Sequence, residues 1–181
     1  MPTCASLSFW ASLVMLCSSP LFAADLNVPA DYTTIQEAID AAEDGDRILI
    51  APGAYDEFLN AGTKAITLVG TGGSAQTVID ANGDSGTLLL VDGASSFGIE
   101  GITFRNGRGA RMTELRNIGQ VVVQGCRWLG ADVSSNGAAL CLSSVLEFNL
   151  SGCSWISNRA NGQSDGCVYV DNSDGQLLDP K

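Results

Sequence analysis

Phe97-Gly98-Ile99-Glu100-Gly101-Ile102-Thr103-Phe104, Val121-Val122-Val123-Gln124-Gly125-Cys126-Arg127-Trp128 and Phe148-Asn149-Leu150-Ser151-Gly152-Cys153-Ser154-Trp155 align with one another without gaps. Their glycines, Gly101, Gly125 and Gly152, lie 24 and 27 residues apart, within the range of solenoid periods. In each segment the first and third positions are apolar and the fifth is glycine. After the glycine the apolar phase slips by one, to Ile102, Cys126 and Cys153 and then to Phe104, Trp128 and Trp155. Strand alternation has period two, so a slip at the same place in every copy predicts a corner there. Glycine takes the left-handed backbone conformation that a corner needs. Successive copies are then coils of one solenoid, with Phe104, Trp128 and Trp155 stacked in register inside, and Ile99, Val123 and Leu150 likewise.

A second element recurs between these copies. Gly86-Thr87-Leu88-Leu89-Leu90-Val91, Gly137-Ala138-Ala139-Leu140-Cys141-Leu142 and Gly166-Cys167-Val168-Tyr169-Val170 each begin at glycine and enter an apolar run. Gly109-Ala110-Arg111-Met112 occupies the matching place in the intervening copy but is too polar to fit. No single coil can bury its apolar face, whereas stacking on the next one does so. A β-sandwich shares the short strands but does not predict the repeated slip.

Upstream, Thr34-Ile35-Gln36-Glu37 is a capping box. Ile35, Ala38, Ile39 and Ala42 follow at helical spacing, with Gly45 placed to end the helix. One amphipathic helix is expected, from Thr34 to Asp44. Short apolar runs around Ile48, Leu68, Val78 and Leu89 follow, punctuated by Gly, Asp, Asn and Ser.

Residues 1–23 read as an export signal. The apolar run from Leu7 to Leu16 is too short to span a bilayer, has the length of a signal h-region and leads to Leu21-Phe22-Ala23, with cleavage expected after Ala23. Cys17 is the alternative, as a lipid attachment site. Residues 24–181 are then a single domain with no transmembrane helix. Another chain, or a continuing segment, is expected to cover the last coil.

The 181 residues include 20 acidic and 9 basic side chains, a net charge of -11. That balance argues against nucleic acid as a partner, since phosphate binding relies on clustered Lys and Arg. The chain has no histidine, which removes a Ser-His-Asp triad around Gly83-Asp84-Ser85-Gly86 and any His-ligated zinc. Asp80, Asp84 and Asp92 are scattered through turn-like stretches instead of forming a calcium cluster. No metal or cofactor is therefore expected. Cys126 stacks on Cys153 in the aligned segments, about 4.8 Å away by strand spacing, so this pair is the candidate disulfide of an exported chain.

The stretch Val28-Pro29-Ala30-Asp31-Tyr32-Thr33-Thr34-Ile35-Gln36-Glu37-Ala38-Ile39, continuing through Asp44-Gly45-Asp46-Arg47-Ile48-Leu49-Ile50-Ala51-Pro52-Gly53-Ala54-Tyr55, resembles the opening of the pectinesterase and pectin-lyase-like superfamily. Trp155-Ile156-Ser157-Asn158 with Gly166-Cys167-Val168-Tyr169 is similar to the repeats of polymorphic outer-membrane proteins. The resemblance implies an all-β fold, a right-handed parallel β-helix whose first coil is covered by the helix. A pectinesterase-like site uses two Asp residues with a nearby Arg and Gln, set so that their acidities differ. Ile118-Gly119-Gln120-Val121 is similar to the glutamine motif. Asp132 is the only carboxylate near the first Asp position, and Ile156-Ser157-Asn158-Arg159 supplies none at the second. Asp132 is thus a lone catalytic candidate.

The expected function is an exported, periplasmic or cell-surface β-helix module for surface display or polysaccharide binding, with Glu100, Gln124 and Arg127 as ligand-binding candidates. Together with Thr103 and Ser154 these are expected to form a flat outward ladder. The alternative is a carbohydrate-active enzyme, pectinesterase- or pectate-lyase-like, or a remnant of one.

Overall fold

The computed structural model describes residues 23–133, 139–160 and 167–178. The expected export segment apart from Ala23, with Cys17, and the glycines Gly137 and Gly166 lie outside the described residues. Within them the chain winds as a right-handed parallel β-helix of about five turns with one short helix near its start. Every described strand pairing is parallel.

Each coil contributes to a first, second and third sheet in turn. The first sheet stacks Asp25–Val28, Arg47–Ile50, Thr67–Gly70, Ser96–Glu100, Gln120–Gln124, Glu147–Ser151 and Gly175–Leu178 in chain order. The second stacks Gly53–Tyr55, Thr77–Asp80, Thr103–Arg105, Arg127–Leu129 and Ser154–Ile156. The third holds Leu59–Gly62, Leu89–Asp92, Thr113–Arg116, Leu140–Ser143 and Val168–Asp171. Between the second and third runs a narrow ladder of Arg108–Gly109, Asp132–Val133 and Arg159–Ala160.

The expected register is the observed one. Phe97 pairs with Val121 and Val121 with Phe148, while Ile99, Val123 and Leu150 line up likewise. Beyond the corner, Phe104, Trp128 and Trp155 align. Their rings stack at 5.8 and 5.7 Å between centroids, with interplanar angles of 16° and 7°. Gly101, Gly125 and Gly152 make the corner at φ of +61°, +61° and +59°. A second corner follows the second sheet at Asn106, Gly130 and Ser157, and a third follows the third sheet at Gly93, Asn117, Ser144 and Asn172, all with positive φ. Asn tolerates this region better than other non-glycine residues, so these corners do not depend on glycine.

The inward side of the coils is mainly apolar. Ile48, Ile50, Leu68, Ile99, Val123, Phe104 and Trp128 have no exposed surface. Complete burial of such a side chain contributes about 1.5–3 kcal/mol, offset by the entropy of ordering the coil.

Two expectations need correction. The copy judged too polar at Gly109-Ala110-Arg111-Met112 does enter a third-sheet strand, Thr113–Arg116, in register with Leu89–Asp92 and Leu140–Ser143. Thr113 and Leu115 point inward and are buried, while Glu114 and Arg116 point out. The helix spans Ile35–Ala41 and stops before Asp44. Ala42 is already extended, and the Glu43 N–H goes to the Asp46 carboxylate at 2.8 Å instead of continuing the helix.

The start of the helix matches the capping box, with Thr34 and Glu37 each accepting the other's backbone N–H. The Glu57 carboxylate then accepts the N–H groups of Ile35 and Gln36 at 3.0 Å each. At the other end Lys64 Nζ donates to the carbonyls of Asp40 and Ala42 at 2.8 and 2.6 Å. Both ends of the helix dipole thus face opposite charge. Ile35, Ala38 and Ile39 are fully buried against the core.

Candidate functional site

Alternation along the first sheet sends one residue in two to the outside. One outward row runs Asn27, Leu49, Val69, Glu100, Gln124, Ser151, and a second runs Asp25, Arg47, Thr67, Gly98, Val122, Asn149. Ser96, Gln120 and Glu147 form a third, one residue before each aligned segment. These rows frame a cavity of about 270 Å³ lined by Thr67, Ser96, Gly98, Glu100, Gln120 and Val122. A second, of about 390 Å³, is lined by Glu147, Asn149, Asp174 and Gly175 with Leu146 and Phe148. Gln120 Nε2 donates to Glu147 Oε2 at 3.4 Å between them. Together they make a shallow trough along the solenoid axis.

The floor of the trough is low at Gly98, where an added Cβ would lie 2.7 Å from Thr67 Oγ1. Hydroxyls, amides and carboxylates dominate its walls. Arg47, the only cation in these outward rows, is spent on Asp25 at 3.5 Å.

The sequence candidates are not brought into one cluster. Glu100 and Gln124 sit on the first sheet. Arg127 lies beyond the Gly125 corner, on the second sheet, in register with Thr103 and Ser154. Thr103 is buried, its hydroxyl donating to the Ser74 carbonyl at 2.5 Å. The flat ladder expected of these five residues is therefore bent across a corner and interrupted at Thr103. Asp132 is a further corner away.

Asp132 is exposed and sits in register between Arg108 and Arg159. It borders a cavity of about 290 Å³ with Asn82, Gly83, Asn106, Arg108 and Gly130. Among the described residues no second carboxylate lines that cavity. The carboxylate nearest in role is Asp80, which is held structurally. It accepts from Asn106 Nδ2 at 2.8 Å and the Asn82 N–H at 2.9 Å, and pairs with Arg105 Nε at 2.5 Å. Burial pushes its acidity the other way, but these hydrogen bonds and the guanidinium outweigh it, and the Asp80 carboxyl stays below its ordinary range. Asp92 repeats the arrangement at the third corner, with Arg116 at 3.0 Å and Asn117 at 2.7 Å. Both Asp residues read as local turn formers in the sequence; Asp80 is one, through the Asn82 N–H, and both also bind the next coil.

Cys126 and Cys153 are stacked thiols. Each Sγ lies within hydrogen-bonding distance of two backbone carbonyls, Ile99 and Gln124 for Cys126, Val123 and Ser151 for Cys153. Burial pushes the Cys126 thiol up to about 12. Among the described residues no group of His, Cys, Asp and Glu is arranged to hold a metal ion, and no helix is long and apolar enough to cross a membrane.

No family model matches the chain, and no curated protein matches it. Two solved structures overlay on it, both pectin methylesterases. One, determined in complex with a hexasaccharide, covers 90% of this chain and 67% of its own at 13% identity and a TM-score of 0.38. The other, from Aspergillus niger, covers 87% of each chain at 13% identity and a TM-score of 0.33. Overlap at that level carries nothing about activity, so the trough and the Asp132 cavity have to be read from their own chemistry.

Proposed function

We propose that this chain is an exported β-helix module that binds a polysaccharide along the first-sheet trough. The observation that carries the proposal is the trough itself, polar, shallow and elongated along the axis. Alternating hydroxyl, amide and carboxylate groups suit sugar hydroxyls, which both donate and accept. Successive coils repeat such groups about every 4.8 Å, as a polymer with repeated units requires.

Charge narrows the ligand. Glu100, Glu147 and Asp174 line the trough, and the whole chain carries -11. A polyuronate would bring another negative charge with each sugar, at separations within the Debye length of about 8 Å at physiological salt. Neutral glycans fit better. Asp132 lies on the ladder between the second and third sheets, apart from the trough, and this reading gives it no part in binding.

A glycan array and calorimetry on the folded chain test this. Neutral polysaccharide should bind, and demethylated pectin should bind weakly or not at all. Gln120→Ala and Asn149→Ala should each weaken binding about fivefold, the worth of roughly one hydrogen bond, while Asp132→Ala should leave it unchanged. Absence of binding to every glycan would remove the proposal, and turnover of pectin abolished by Asp132→Ala would replace it with an esterase or lyase.

A further inference from the structure

Asp46 is a largely buried carboxylate, 7% exposed, and among the described residues no cation pairs with it. Its Oδ1 accepts the backbone N–H of Ala24 at 2.7 Å, and its Oδ2 accepts that of Glu43 at 2.8 Å. The cations nearby are engaged elsewhere. Arg47 turns to Asp25, and Lys64 caps the helix through the carbonyls of Asp40 and Ala42. Of the neighbouring acids, Asp44 Oδ1 accepts the Ala65 N–H at 2.8 Å, and Glu43 is exposed. A buried carboxylate held by neutral donors alone is costly, and an opposite charge beside it relieves that cost.

The atom closest to filling this gap is the Ala24 nitrogen, and it follows the very bond at which the export segment is expected to end. Ala24 is already seated in the first coil, since its carbonyl accepts the Arg47 N–H at 2.8 Å. We propose that cleavage between Ala23 and Ala24 turns this amide into the α-ammonium of the mature chain, and that the ammonium closes an ion pair with Asp46. An export peptidase and water supply the step. The Ala23–Ala24 C–N bond breaks, hydroxide adds to the Ala23 carbonyl carbon, and the Ala24 nitrogen takes the proton and a second one from solvent. The proposal rests on the export reading of residues 1–23 and is independent of any glycan.

Asp46 would then act as a sensor of correct processing, strengthening the first coil only when the chain begins at Ala24. A charged terminus paired in the folded state titrates above its unfolded range of about 7.7–8.0. The stabilisation is therefore fully present below that range and is lost as pH rises through the folded value.

The test begins with intact mass and N-terminal sequencing of the exported protein, where Ala24 is expected first; any other terminus defeats the processing step. Protein beginning at Ala24 is then compared with the same chain acetylated at its α-amine, by urea unfolding at pH 6.5 and pH 10. The free amine should favour the folded state by roughly tenfold or more at pH 6.5, the order expected for a charge paired at a buried group, and the advantage should vanish at pH 10. Asp46→Asn should erase the difference between free and acetylated chains. Equal unfolding of those two chains at pH 6.5 would overturn the ion pair whatever the sequenced terminus, and it needs no variant to fold.

Discussion

Trp128 and Trp155 occupy equivalent positions one coil apart, yet replacing each with Phe should have unequal consequences, a clear loss at Trp128 and little net change at Trp155. The Trp128 indole N–H donates to Thr113 Oγ1 at 2.9 Å, and both residues have no exposed surface. Moving that pair forward by one coil maps Trp128 onto Trp155 and Thr113 onto Leu140. Leucine offers no acceptor, and among the described residues the buried Trp155 Nε1 has no hydrogen-bond partner. Trp128→Phe leaves the Thr113 hydroxyl without its donor, about 1–3 kcal/mol. It also removes a ring packed on both sides, about 1 kcal/mol more. Trp155→Phe deletes an orphaned donor, which returns about 1–3 kcal/mol against a similar loss of apolar contact from a half-buried ring.

The expected difference between the two variants is therefore about 2–4 kcal/mol. With a urea slope of about 2 kcal/mol per molar it separates the midpoints by about 1–2 M. Far-ultraviolet circular dichroism reads the transition without relying on the altered tryptophans. Leu140→Thr sharpens the test, because it restores the missing acceptor. Its cost should be lower by about 0.5–1.5 kcal/mol with Trp155 present than in the Trp155→Phe background, a coupling that a double-mutant cycle isolates. Equal losses from the two Trp→Phe changes, with no coupling to position 140, would refute the argument from register.

Acid should loosen the second corner through Asp80. Its folded acidity is below the ordinary value, so its stabilisation is complete above about pH 4 and is lost as pH falls through the folded value; Asp80→Asn should be less stable at pH 7 by roughly 1–3 kcal/mol and lose less on acidification, as urea titrations from pH 7 to pH 2.5 would show. The cysteines should separate by reactivity. At pH 8.5 iodoacetamide should label Cys167 first, whereas Cys126, pushed up to about 12, reacts only on unfolding. Non-reducing peptide mass spectrometry should recover Cys126 and Cys153 as thiols, because both are buried free cysteines whose Sγ atoms face backbone carbonyls; a linked peptide would establish the bridge instead.

The fold was legible where one residue type does one job in every coil. Gly101, Gly125 and Gly152 all turn the chain left-handed, so a constant residue marks a constant geometry and the phase slip around it becomes visible. The other corners use Asn106, Gly130 and Ser157, and Gly93, Asn117, Ser144 and Asn172. The geometry there is as constant but the residue is not, because a small polar side chain reaches the same region at modest cost. Thr113–Arg116 escaped for a related reason. Its outward Glu114 and Arg116 are held by Arg111 and Asp92, which gives a true strand the composition of a loop.

The candidate site was legible only in part, because nothing packs on outward positions to restrict their chemistry. Glu100, Gln124 and Arg127 lie close in sequence or in register, yet the Gly125 corner turns Arg127 onto another sheet, and three residues of separation hide a change of face. The trough is a property of the register itself. Ser96, Gln120 and Glu147 are brought together from three coils by parallel pairing, and the gapless repeat already assigned each of them the place before its segment. Carrying the repeat one residue outward from its apolar core would have located that wall, although no residue in it is unusual. A solenoid writes its core as a repeat and its surface as a difference between repeats, so what distinguishes the outward face sits in the positions where successive coils disagree.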